Sequence, residues 1–139
     1  MSHVYDCLGP EGWGTYEVHF DQGGPEYLRV HRPAESILVP AFVDLHIHGA
    51  YGVDVMSATT DELLTLCRTL EREGYECFLP TTITAPSDEI ERVLDRLPDH
   101  PLIAGFHLEG PFLSLQYPGA QPGPARYEWR HEIAKRKSD

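Results

Sequence analysis

At 139 residues the chain is long enough for one ordinary domain with its own core, and 41% hydrophobic residues, with seven Tyr, five Phe and two Trp, exclude a disordered tail. Its net charge of −11 repels phosphate backbones and argues against a nucleic-acid partner. No apolar run approaches the roughly 18 residues that cross a bilayer, the start "MSHVYDCLGPEGWG" lacks a signal-peptide layout, and three cysteines without a C-x-x-C pair fit a reducing compartment, so a cytoplasmic protein with no membrane partner is expected.

In chain order, "TYEVHF" (15–20) alternates as a strand, "DQGG" is a turn signal, and "EYLRVH" (26–31) can pair back as a hairpin. "SILVP" (36–40) is a further short apolar run. Residues 1–40 are therefore expected to form a small, half-exposed β element in which His19 and His31 are ordinary strand residues. From residue 41 the texture changes. "AFVDLHI" is a nearly continuous apolar run, which predicts a strand buried on both faces. Thr59 with Glu62 forms a capping-box signature, Leu63, Leu66, Cys67 and Leu70 share one face, and Gly74 closes the helix. "YECFLPTTIT" (75–84) predicts a second strand. Ser87 as N-cap, acids in the first turn, an apolar face of Ile90, Val93, Leu94 and Leu97, and Pro98 as the stop predict a second helix. "PLIAGFHLEG" (101–110) predicts a third buried strand.

The order strand, helix, strand, helix, strand implies parallel crossovers, in an α/β fold that is either an open doubly wound sheet or part of a (β/α)8 barrel. Three strands and two helices cannot close a barrel, which needs about 250 residues. The chain has no lysine before Lys135, and Arg126, Arg130, Arg136 and Lys137 gather beside it. Residues 122–139 are therefore expected to be a charged tail, either helical or lying past the native domain.

Side chains two apart on a strand point to the same face. His46 and His48 therefore present two imidazoles together at a strand's carboxyl end, where parallel α/β folds place their ligands. His107 and Glu109 repeat the spacing at the end of the third strand. A lone H-x-H also occurs on ordinary exposed strands, but here it ends a predicted buried strand and has a matching carboxylate. His46, His48 and Glu109 are accordingly read as metal ligands, since Glu109 would be costly to bury unpaired. His107 is read as a hydrogen-bond partner standing behind a metal ligand, with a ligand or an inward packing residue as alternatives. Asp44 and Asp54 are read as structural acceptors, and the threonines of "LPTTIT" as ordinary strand residues. Imidazole plus carboxylate suits zinc first, with iron, manganese or cobalt as alternatives, and no thiolate is placed to help.

"LVPAFVDLHIHGAYGVDVM", "FLPTTIT" and "IAGFHLEGPFLSLQYPGAQ" together resemble the N-acetylglucosamine-6-phosphate deacetylase family of the amidohydrolase superfamily, over roughly residues 36 to 121. The resemblance implies that residues 41–121 are the first three strands and two helices of a (β/α)8 metal-dependent hydrolase barrel. Residues 1–40 stand where the family begins a small β-sandwich domain. The activity implied is hydrolysis of the acetamide of N-acetylglucosamine 6-phosphate to glucosamine 6-phosphate and acetate, by an enzyme that forms homo-oligomers, dimers in the family. Glu109 matches the family's metal-ligand glutamate, and His46 and His48 match an H-x-H that some members use for a second metal. Ala120 and Gln121 fall where the family contacts the sugar through a small residue followed by histidine, so Gln121 departs from the pattern. The family's further metal histidines and its catalytic aspartate come from later strands, and nothing after Gln121 supplies them. The 139-residue chain is therefore expected to be an N-terminal portion, inactive alone. The alternatives are another amidohydrolase acting on a cyclic amide, for which the bridging lysine is missing, and a non-catalytic metal-binding or assembly module.

Overall fold

A computed structural model of the chain describes residues 2–114 and 116–121. The expected tail at 122–139, with His131, lies outside the described residues. The chain divides into two compact units, the first running through Ala41 and the second beginning at Phe42.

The first unit is a four-stranded sheet in the order β3-β2-β1-β4, with β1 at His3–Gly9, β2 at Gly12–Asp21, β3 at Gly24–Arg29 and β4 at Ser36–Ile37. Two antiparallel hairpins build β1-β2-β3, and β4 adds in parallel to β1. Cys7, Tyr16 and Val18 are its buried cluster, with Tyr5, Tyr27 and Leu38 packed against them. Strand β1 has no counterpart in the sequence reading because its buried residues, Val4 and Cys7, fall three apart rather than two.

In the second unit, strand β5 (Phe42–Ile47) is followed by a short hairpin, β6 (Gly49–Ala50) and β7 (Val53–Asp54). Helix α1 (Thr60–Arg72), strand β8 (Tyr75–Thr82), helix α2 (Ser87–Asp95) and strand β9 (His107–Leu108) complete it. β5, β8 and β9 pair in parallel in that order. Leu66, Cys67 and Leu70 of α1 meet Phe78 of β8 and Leu102 in the core, which Ile47, Tyr75 and Ile103 extend.

Helix α1 starts as its sequence dictates. Thr59 Oγ1 accepts from the Glu62 N–H, and the Glu62 carboxylate accepts from the Thr59 N–H at 2.7 Å, closing a capping box. The Thr59 N–H and, at 2.8 Å, the Thr59 hydroxyl both donate to the Glu62 carboxylate and hold it below its ordinary range despite the opposing effect of desolvation. The carboxylate is thus favoured in the folded state. Its contribution is complete above the ordinary carboxylate range and is lost as pH falls through the lowered folded value. Thr59→Ala should cost about 1 kcal/mol in urea denaturation at pH 7, and the loss should shrink as the pH is taken down through that window.

Three sequence expectations need correcting. β5 is not buried on both faces: Phe42, Val43 and Leu45 are 51%, 54% and 65% exposed. Among the described residues β5 pairs only with β8, so an apolar run reports a strand but not what covers it. The run 101–110 is not a continuous strand. Ile103 makes one bridge to Phe78 and only His107–Leu108 form a ladder, with Pro101 and Gly105 interrupting the rest. Ser87 is the first residue of α2 rather than its cap. Pro86 takes the N-cap position without a side-chain bond, while Ile90 and Val93 are the buried face. Among the described residues no helix is long and apolar enough to cross a membrane.

Candidate metal centre

The site is assembled where the three parallel strands end. β5 delivers His46 and, one residue past its end, His48; β9 is followed directly by Glu109. On the ladder Asp44 faces Phe78 while Ile47 faces Pro80, so β5 carries one extra residue between those pairs. Such a bulge re-aims side chains. Pro80 has no N–H for the ladder, and local groups satisfy β5 instead. The His46 N–H donates to Asp44 Oδ1 at 3.0 Å, and the Ile47 N–H donates to Thr81 Oγ1 at 3.0 Å. Asp54 has a similar local part, accepting the Met56 N–H at 2.7 Å.

Three ligand-type atoms converge. His46 Nε2 and His48 Nε2 are 3.1 Å apart, and Glu109 Oε2 lies 3.1 Å from the first and 2.9 Å from the second. Four ligands set tetrahedrally about 2.0–2.1 Å from a zinc ion would be about 3.3 Å apart, so this triangle has the right size for three of them. The donor set is equally suitable, two imidazoles and a carboxylate. The three side chains are 49%, 44% and 31% exposed for His46, His48 and Glu109, leaving a face open to solvent.

Charge and tautomer sharpen the picture. His48 Nδ1 lies 3.2 Å from the Thr81 carbonyl, which can only accept, so this nitrogen carries the proton. His48 Nε2, the other ring nitrogen, is turned toward Glu109. For Glu109, burial raises the carboxyl, but a hydrogen bond from Gln121 and the neighbouring His48 and His46 outweigh it and hold the group below its ordinary range.

The structure brings His46, His48, Glu109 and Gln121 into one network. The His107 ring stands edge-on to His46 with centroids 4.8 Å apart, and its Nδ1 is 3.5 Å from Thr81 Oγ1. Ala120 is exposed in the turn before Gln121, which is buried with its Oε1 accepting the Thr84 N–H at 2.7 Å. Thr81 is the residue that sequence reasoning missed. It is fully buried and serves β5 through its hydroxyl and His48 through its carbonyl. A threonine in a strand carries no such signal, and only the pairing register reveals it.

The hairpin after His48 explains the small residues there. Tyr51 and Gly52 both have positive φ, 54° and 82°, giving the tight turn of type I′ between β6 and β7.

Comparison with known proteins places the chain. The sequence profile of the Amidohydrolase family matches residues 37–138. The chain is 37% identical over 108 residues to N-acetylglucosamine-6-phosphate deacetylase of Bacillus subtilis, covering 70% of this chain and 27% of that protein. It is 41% identical over 138 residues to N-acetylgalactosamine-6-phosphate deacetylase of Escherichia coli O157:H7, covering 88% of this chain and 37% of that one. Among solved structures, N-acetylglucosamine-6-phosphate deacetylase of Thermotoga maritima superposes with a TM-score of 0.73 at 25% identity, over 94% of this chain and 38% of that one. A mutant of the Mycobacterium smegmatis enzyme in complex with N-acetyl-D-glucosamine-6-phosphate gives a TM-score of 0.66 at 30% identity, over 97% and 39%. The chain thus spans between about a quarter and two-fifths of the length of these proteins.

Proposed function

The chain belongs to the amidohydrolase family, and on that premise we propose that it carries part of the metal site of a deacetylase acting on an N-acetylhexosamine 6-phosphate. In this reading β5, β8 and β9 with α1 and α2 are the first strands and helices of a (β/α)8 barrel. The exposed apolar residues Val43, Leu45, Phe106 and Leu108 mark where further elements would pack. Residues 1–40 form the small β domain and 41–121 the partial barrel. His46 Nε2, His48 Nε2 and Glu109 Oε2 hold a divalent ion, zinc foremost.

The observation that carries the metal reading is the convergence of three ligand-type atoms. His48 Nε2 faces a Glu109 carboxylate oxygen at 2.9 Å, with His46 Nε2 3.1 Å from both, while the Thr81 carbonyl at 3.2 Å from Nδ1 orients the His48 ring. A proton bridges one pair of these atoms at a time, whereas a metal ion serves all three.

An ion held by His46, His48 and Glu109 would supply polarisation of the acetyl carbonyl and a more acidic water. This chain's residues do the positioning. Thr81 fixes the tautomer and tilt of His48, Asp44 fixes the backbone of His46, and the His107 ring packs edge-on against His46 as its outer support. Ala120, which the resemblance puts beside the sugar, is exposed in its turn. The resemblance assigns the catalytic aspartate and the remaining metal histidines to later strands of the family's barrel. We therefore expect no acetate release from N-acetylglucosamine 6-phosphate by the 139-residue chain alone with zinc. Turnover that His46→Ala abolishes would overturn that expectation.

The reaction itself is tested in a chimaera in which residues 37–121 replace the matching segment of the Bacillus subtilis relative. It should release acetate from an N-acetylhexosamine 6-phosphate and lose that activity on Glu109→Ala. A folded, zinc-loaded chimaera inert on both the gluco and galacto substrates would count against the reading.

A further inference from the structure

Gln121 stands where the family resemblance calls for a histidine that touches the sugar, yet its contacts point the other way. The side chain is only 8% exposed. Its Oε1 accepts the Thr84 N–H at 2.7 Å, just beyond the end of β8, which fixes the amide flip. The amide nitrogen then faces the Glu109 carboxylate and donates to it. Both functions of the amide are thus engaged within the protein. Thr84 is itself buried, and it packs where Gly110, at φ +85°, leaves no room for a Cβ, which would sit 2.2 Å from Thr84 Oγ1. The residue after Glu109 is therefore packed tightly against Thr84, and Gln121 joins the carboxylate to the backbone of that same residue.

We propose that Gln121 is a positioning residue for the metal site: it clamps the Glu109 carboxylate to the backbone at Thr84, so that one oxygen is presented to the ion between His46 and His48. This deepens the metal reading above and rests on it. A carboxylate left free to rotate must be ordered when the ion binds, whereas one already held by a fixed amide donor is ordered in advance. Outer-shell partners of this kind change metal affinity by about 10–100-fold. A residue whose only task was to contact the sugar would leave metal affinity untouched.

The test is zinc titration of the 139-residue chain by calorimetry, comparing the unaltered protein with Gln121→Met, which keeps the volume but neither hydrogen bond, and with Gln121→Ala. Cobalt spectra and thermal melting accompany each titration. The clamp predicts zinc binding about 10–100-fold weaker in both variants, with changed cobalt visible bands in whichever variant melts close to the unaltered chain. Zinc affinity within about twofold of the original, with unchanged cobalt bands, in either folded variant would overturn it. Failure of the unaltered chain to take up zinc or cobalt would overturn the metal reading itself, and the clamp with it, so the two failures are distinguishable.

Discussion

Substituting His48 by alanine is expected to weaken zinc binding by more than the roughly 10–100-fold that outer-shell changes produce, while the chain still folds. The imidazole is nearly half exposed and contributes little to the core, so its loss falls on the site. Its removal deletes a nitrogen ligand that the Thr81 carbonyl orients, and among the described residues it leaves His46 Nε2 and Glu109 Oε2 of the cluster to face an ion. His107→Ala should do much less, because that ring supports His46 through packing. Competition against a chromophoric zinc chelator would rank the two variants, and equal effects would mean that His107 is itself a ligand.

Gly49→Ala should produce a loss of a different kind. Gly49 has φ +133°, and a Cβ there would sit 2.0 Å from the Val53 carbonyl oxygen and 2.9 Å from its carbon. Both obstacles are backbone, so no side-chain rotation relieves them. The β6-β7 pairing of Gly49 with Asp54 brings that backbone close. Strain of roughly 1–3 kcal/mol for the conformation and a similar amount for overpacking together suggest a loss of about 2–6 kcal/mol. That is a large part of the 5–15 kcal/mol that usually stabilises a domain. Because Gly49 directly follows His48, zinc affinity should fall along with the urea midpoint. An unchanged midpoint would show that the hairpin is absent in solution.

The helices were legible in the sequence because their signals are local. Thr59 and Glu62 lie within one turn, and Leu63, Leu66, Cys67 and Leu70 recur at helical spacing, so α1 follows without knowledge of any partner. α2 was displaced by one position because Ser87, a good capping residue, follows a proline that occupies the cap position itself. The strand ends carrying His46, His48 and Glu109 could be placed from apolar runs and the two-residue period. Burial could not. Val43 and Leu45 are as apolar as any core pair, but their exposure depends on which elements lie beside β5. The hairpin in "HGAYGVD" escaped notice because its strands are two residues each and its turn uses Tyr51-Gly52 in place of a more familiar Asn-Gly. Thr81 and Gln121 were beyond reach for one shared reason. Thr81 acts on residues 33 and 34 positions earlier, and Gln121 joins a backbone N–H 37 positions away, so their roles exist only once the strands have paired.

His46, His48 and Glu109 are proposed to hold one divalent ion together. Equilibrium dialysis of the 139-residue chain against zinc, followed by elemental analysis, tests it most directly beside a variant with all three residues changed to alanine. Stoichiometric zinc in the unaltered chain and none in the triple variant is the predicted result. A zinc-free unaltered chain, or a triple variant that retains its zinc, would contradict it.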